Sequence, residues 1–353
     1  MTETLNEALD EALDEDRRQL DEVTTELLQR HCGLDHLRER LDAGAAHSAA
    51  LWGRLAETGL VSALVADAWG GAGLSPRHLP GVLRATGYHA LPEPYLETAV
   101  LAATVLTAFA GDPEVERRLA SLAEGSLLVA VRIGGLDPYV AFAAEADLVL
   151  DVAPDGTITV YRPEEVEVEP LEAVDPLRPV ARVKPRGGGT VLGVSPELAA
   201  RVRTLAVAGA ACQLAGAARR LLDMTVEYVG VRQQFGRPVG SFQAVKHKIA
   251  DVAVGVDMAE AAALSALDAI DDPDAAHRAA AAKAYAGQAA DRANVEALQL
   301  HGGIGFTWEY HLHFWLKRVM SLSAAYGTTA AHRRDLATGL LARVHGREGT
   351  GHE

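Results

Sequence analysis

The sequence predicts a mostly helical α+β protein, in which a small β segment separates a helical N-terminal region from a C-terminal helical bundle. Three observations carry this expectation. Apolar residues recur at helical spacing toward both ends of the chain. Short β-branched runs bounded by turn residues are confined to the stretch between Ser126 and Thr190. The composition is rich in Ala and Leu, 49% hydrophobic but only 5% aromatic, a bias that favours helices. A chain of 353 residues is long enough for two or three domains and a sizeable core. The expected division is a helical domain at 1–125, a reduced β domain at 126–194 and a helical bundle at 195–353.

In the first region Leu5, Leu9, Ala12 and Leu13, then Leu20, Val23, Leu27 and Leu28, follow a helical period. Gly and Pro break the pattern at "AWGGAGLSP" (Ala68 to Pro76) and "LPEPY" (Leu91 to Tyr95), and a further helix runs through "LETAVLAATVLTAF". In the middle, "SLLVAVRI", "ADLVLDV", "GTITVYR" and "PVARVKP" read as strands, about four to six in all, closing at "RGGGT" as a linker. Helices resume at Ser195 and Pro196, an N-cap and first-turn pair, and again after "DDPD". Four or five long helices fit between residues 196 and 345, enough for an antiparallel four-helix bundle.

The formal charge is -15. Such a polyanion argues against a nucleic-acid partner and against an anionic membrane surface, while leaving room for a small anion met by local arginines. Cys32 and Cys212 stand far apart without ligand spacing, so neither a disulfide framework nor a zinc site is expected. The acidic N-terminus lacks a signal-peptide core, and no apolar run reaches spanning length, so the expectation is a cytoplasmic protein.

Two motifs stand out. "VRQQFGRPVGSFQ" ends one long helix, turns on Gly and Pro, and opens another. Arg232 there offers a fixed planar cation suited to a phosphate, and Phe235 offers an aromatic face for an adenine or ribose. Alone, such a turn reads rather as an ordinary helix connection with a surface Arg and a core Phe. "LQLHGGIGFTWEYHLHF" places Gly302, Gly303 and Gly305 at a helix end, where bare backbone allows a left-handed cap or close approach to a ligand. Gln299 precedes them. His301, His311 and His313 have no metal-ligand spacing, so no metal is expected there.

Together, in this order and separation, the two motifs closely resemble the C-terminal domain of the acyl-CoA dehydrogenase family. "GLVSALVADAWGGAGLSP" and "LPEPYLETAVLA" resemble its N-terminal region. The resemblance covers the whole chain, weakly in the β segment. It implies the family's three-part fold, FAD as cofactor and a CoA thioester as substrate. It also implies that Arg232, Phe235, Gln299, Gly302 and Gly303 contact the adenine-pyrophosphate end of an FAD held mainly by a neighbouring subunit, with Gln243 lining the same cleft.

The chain also departs from the family. The β segment has neither the Thr-Glu-Pro-like nor the Trp-x-Thr-Asn-like segment that binds the flavin ring, and it contains no Trp. At the position of the catalytic Glu, ahead of Gly327 and Thr328, stands Tyr326, a phenol with a reference pKa of about 10 that is protonated at neutral pH. The alternative base position on the bundle's first helix falls near Ala206, and no carboxylate lies between Arg201 and Arg220. No catalytic residue is therefore assigned to this chain.

The expected function is that of a short subunit of a heteromeric acyl-CoA dehydrogenase. It resembles the smaller partner of the α2β2 enzymes of actinobacterial steroid side-chain degradation, and so implies a role in lipid metabolism. A larger subunit is expected to bring the base and the flavin-ring pocket, with electrons passing to an electron-transfer flavoprotein. Two alternatives stand beside it. One is a self-sufficient enzyme using Tyr326, a water, Asp251 or Glu260 as base. The other is a structural or regulatory paralogue that binds a partner but no nucleotide.

Overall fold

The computed structural model describes residues 2–348, with side chains described for 11–341. The N-terminal region consists of α1 (Thr2–His31), α2 (Leu34–Ala43), α3 (Ala49–Glu57), α4 (Pro80–Tyr88), α5 (Ala103–Ala108) and α6 (Pro113–Ala123). The run "YLETAVLA" does not open as an α-helix. Tyr95–Ala102 winds as a π-helix that continues into α5, and all eight of its residues are buried. Thr98 on this segment bonds both the N–H and the C=O of Val129, fastening the helix to the first strand.

The β segment holds seven strands rather than four to six. They are β1 (Val129–Ile133), β2 (Val140–Ala141), β3 (Leu148–Val152), β4 (Thr157–Tyr161), β5 (Val166–Leu171), β6 (Val180–Pro185) and β7 (Thr190–Val194). One sheet runs β1-β3-β4-β7, parallel between β1 and β3 and antiparallel elsewhere. The other, antiparallel, runs β2-β6-β5. "RGGG" is thus no linker between domains. It carries the chain from one sheet to the other, with Gly187 and Gly188 at positive φ.

The rest is α7 (Pro196–Val231), a short hairpin of β8 (Gln233–Gln234) and β9 (Arg237–Pro238), then α8 (Gln243–Asp268), α9 (Ala275–His301), α10 (Leu312–Ala324) and α11 (Thr329–Glu348). Ser195 caps α7 by accepting the N–H of Leu198 at 3.2 Å. α7 is 36 residues, or about 54 Å, long and is buried along most of its length. It meets α4 backbone to backbone. A Cβ on Gly216 would fall 1.9 Å from the carbonyl oxygen of Arg84, and one on Gly87 equally close to that of Gln213. Only glycine on both helices permits that approach. One continuous apolar core joins the N-terminal helices, the larger sheet and the bundle. Among the described residues no helix is long and apolar enough to cross a membrane.

Candidate functional site

The residues singled out by the two motifs gather at one end of the bundle. α7 and α9 end there and α8 begins there. The ends are tied by a stack of Tyr228 on His301, with ring centroids 4.4 Å apart, and by Lys248 donating to Glu296 at 2.6 Å. After Arg232 the hairpin turns on Phe235 and Gly236, at φ +53° and +78°, two left-handed residues in succession as a tight hairpin requires. The turn throws the Phe235 ring out of the protein, 92% exposed, so this is not the core phenylalanine of an ordinary helix connection. Phe242 meets it edge-on at 6.2 Å, and the Arg237 guanidinium lies 4.1 Å above the Phe242 ring. Gln243, the first residue of α8, and Gln299, in the last turn of α9, are exposed.

Gly302 ends α9 at φ +61°, ψ -142°, a conformation disfavoured for any residue with a Cβ. A Cβ on Gly302 or Gly303 would meet no atom within 4 Å, so bare backbone faces open space. Arg232, Arg237 and Lys246 form no ion pair among the described residues, a local positive patch on a chain of charge -15. Val231, Phe306 and Trp308 add exposed apolar surface at the same end, and a groove of about 360 Å³ runs past Val226, Pro238 and Lys246.

The histidines of the second motif belong to the packing of this end. His301 donates from Nδ1 to the Ala297 carbonyl at 2.7 Å and is sandwiched with Tyr228 and Tyr310. Burial lowers its pKa and that of His311, and pushes His313 down to about 4, so the three rings are neutral.

The Tyr326 position lies inside the molecule. Its backbone is left-handed at φ +54°, held by its N–H donating to Asp137 at 2.9 Å and by His332 Nε2 donating to its carbonyl at 2.9 Å. The hydroxyl donates to Glu97 Oε1 at 2.8 Å. Arg178 pairs with the same oxygen at 3.1 Å and lies over the ring at 5.8 Å. All three side chains are buried. Burial, and next the Glu97 carboxylate, raise the phenol's pKa well above its usual 10, which is opposite to what a base requires. Lys283, 0% exposed, reaches the Gly327 carbonyl at 3.1 Å and that of Ser323 at 3.4 Å. Burial and the nearby Arg178 push its pKa down to about 7.

The other candidate bases lie elsewhere. Asp251 is exposed and pairs with Arg292 of α9, and Glu260, on another face of α8, is half-buried and pairs with Arg219 of α7. Ala206 is fully buried in α7. Sequence reasoning missed Glu97 and Arg178. The signal available was a single acid inside the apolar run "YLETAVLA". Its partners lie 81 and 229 residues away and left no local trace.

Residues 205–341 match the family described as acyl-CoA dehydrogenase, C-terminal domain. The chain is 35% identical over 306 residues to acyl-CoA dehydrogenase IpdE2 of Mycobacterium tuberculosis, covering 86% of this chain and 91% of that protein. It is 33% identical over 327 residues to acyl-CoA dehydrogenase IpdE2 of Mycolicibacterium smegmatis, covering 92% and 98%. Its fold is like that of the ChsE4-ChsE5 complex from M. tuberculosis, with a TM-score of 0.85 at 24% identity over 93% of this chain and 97% of that one. From helix order, bundle geometry and these likenesses together, the chain belongs to the acyl-CoA dehydrogenase family, whose members are FAD-dependent flavoproteins.

Proposed function

We propose that this chain is the non-catalytic-base subunit of a heteromeric acyl-CoA dehydrogenase, supplying contacts to an FAD shared with a larger partner. The observation that carries the reading is Tyr326. Where a base would stand, its hydroxyl is spent on Glu97, beneath Arg178. A carboxylate already held by two partners is a poor proton acceptor.

The two halves of the chain fit FAD differently. The exposed end of the bundle suits its anionic end. Among the described residues Arg232 forms no ion pair, Phe235 is an exposed aromatic, Gln243 and Gln299 are exposed amides, and Gly302 and Gly303 are open backbone. The interior beside Tyr326 does not suit the flavin ring, because Glu97, Arg178 and Tyr326 fill it. FAD, when bound, accepts hydride from the carbon β to a thioester carbonyl. Arg232 would neutralise pyrophosphate charge, Phe235 would cover the adenine, and the bare Gly302–Gly303 backbone would leave room for the phosphates. The proton at the α carbon would be taken by a carboxylate of the partner subunit, the overall reaction being dehydrogenation to an enoyl-CoA with an electron-transfer flavoprotein as acceptor. A bulky acyl substrate of lipid, and specifically steroid, catabolism is in keeping with the relatives, and a cytoplasmic location is part of the same proposal.

The test is co-purification with a longer dehydrogenase partner that has an intact base. The complex is expected to be yellow and to form enoyl-CoA, and the chain alone to be colourless and inactive. Arg232→Ala is expected to reduce the FAD content of the complex. A yellow, active homo-oligomer of this chain overturns the proposal, and unchanged FAD content in Arg232→Ala removes the shared contact.

A further inference from the structure

α1 sits on the body of the protein in an unusual way, over a space that Tyr326 does not line. Against α4 it is flush, since a Cβ on Gly81 would come within 3.0 Å of the Asp21 side chain. Against α8 it stands off, and a cavity of about 420 Å³ opens beneath it. That volume lies in the range of small-molecule sites, roughly 300–1,000 Å³.

Two unlike walls flank the space, which is partly open to solvent. The floor is apolar, made by Cys212 and Ala215 of α7, Ala263 and Leu264 of α8, and Pro80 of α4. The Cys212 thiol is fully buried and its pKa is pushed up to about 12, so it acts as apolar floor and not as a nucleophile. The roof is the face of α1 carrying Asp14, Arg17, Arg18 and Asp21, at i, i+3, i+4 and i+7. A helix normally turns its apolar stripe toward the body. Here a charged stripe looks across a gap at an apolar floor.

Ion pairs, not packing, bridge the gap. Arg17 reaches Asp268 at the end of α8 and donates from Nε to the Arg77 carbonyl at 2.8 Å. Arg84 is shared between Asp21 at 3.0 Å and Glu260 at 3.8 Å. The residues lining the cavity include three cations (Arg17, Arg18, Arg84) and three anions (Asp14, Asp21, Glu260), and the formal charge of this lining cancels. It offers donors and acceptors in balance. A multiply charged CoA thioester finds no net attraction there, whereas a neutral molecule with an apolar body and hydroxyl or keto groups along one edge matches both walls.

We propose that the cavity beneath α1 is a binding site for a compact, uncharged molecule with an apolar body and hydroxyl or keto groups along one edge, separate from the exposed end of the bundle that carries Arg232 and Gly302. The apolar body lies on the α7–α8 floor, and its oxygens exchange hydrogen bonds with the α1 stripe and Arg84.

Titration of the full-length chain with Prodan, a neutral two-ring ketone whose emission shifts to the blue in apolar surroundings, tests this. One saturable site per chain is expected. Ala261→Trp and Leu264→Trp, at exposed α8 positions on the cavity wall, are each expected to weaken it at least ten-fold with no change in helical circular dichroism. Anilinonaphthalene sulfonate, an anion of similar size, is expected not to displace it. Absence of saturable Prodan binding, or equal affinity in both Trp variants, overturns the site. Equal binding of the sulfonate at the same site overturns the argument from the neutral lining.

Discussion

Tyr326 carries interactions that a solvent-exposed loop residue would lack, and those with Glu97 and Arg178 have measurable consequences. Its hydroxyl donates to a buried carboxylate, a bond worth about 1.5–3 kcal/mol when the acceptor is charged. Tyr326→Phe is therefore expected to lower unfolding stability by about that amount in urea titration. Arg178→Ala is expected to cost more, about 3–5 kcal/mol, because Glu97 is left as an unpaired charge only 3% exposed. If both variants melt like the parent, Tyr326 is space-filling alone. Beneath the same loop, the folded pKa of Lys283 near 7 lies below the unfolded value of about 10.4. Between those values the unfolded chain holds a proton that the native chain has released, so stability rises with pH. The penalty for burying the charge is fully present below pH 7 and is relieved toward pH 10, at up to about 1.4 kcal/mol per unit. Lys283→Met is expected to flatten that rise in stability measured from pH 7 to 10. An unchanged slope would mean that another group carries it.

Among elements, the turn after α9 separates shape from function. A side chain at Gly303 meets nothing within 4 Å and its φ is not positive, so Gly303→Val is expected to leave the melting temperature nearly unchanged. The valine would stand where a phosphate is proposed to approach, so the FAD content of the partner complex is expected to fall. Retained FAD would remove the turn from the shared contact. The elements themselves were unevenly legible. Ser195 and Pro196 announced α7 because capping is local chemistry. The β segment was undercounted because "VEVEP" alternates valine with exposed glutamate on the outer strand β5, and because β2 is only two residues long. The π-helix at Tyr95–Ala102 left no periodic signal, since all eight of its residues are buried. The exposed end of the bundle could be read from its glycines and RxxFG spacing, whereas the Glu97–Arg178–Tyr326 contact joins three distant stretches and could not.

At the scale of the whole molecule, those distant contacts share a pattern: each crosses from one region of the chain to another. Glu97 lies among the N-terminal helices, Arg178 in the β segment, and Tyr326 between α10 and α11 of the bundle. Arg318 of α10 repeats the arrangement. It pairs with Asp175 of the β segment at 2.5 Å and donates to the carbonyls of Leu91 and Leu177 at 2.9 and 3.2 Å. Both members of the pair are buried. Their mutual attraction largely offsets desolvation, so the pair adds little net stability, but its geometry fixes how the three regions meet. Removing one member is a different matter. Arg318→Ala leaves Asp175 charged and buried and deprives two carbonyls of their donor, at an expected cost of about 3–5 kcal/mol. The exposed pair of Arg201 with Asp271 is the control, and Arg201→Ala is expected to cost under about 1 kcal/mol. If the junction couples the regions, calorimetry of Arg318→Ala will split one unfolding transition into two, with the β segment melting first. A single, merely lowered transition would mean that the shared apolar core alone keeps the three regions cooperative, with the buried charges acting only within their own neighbourhood.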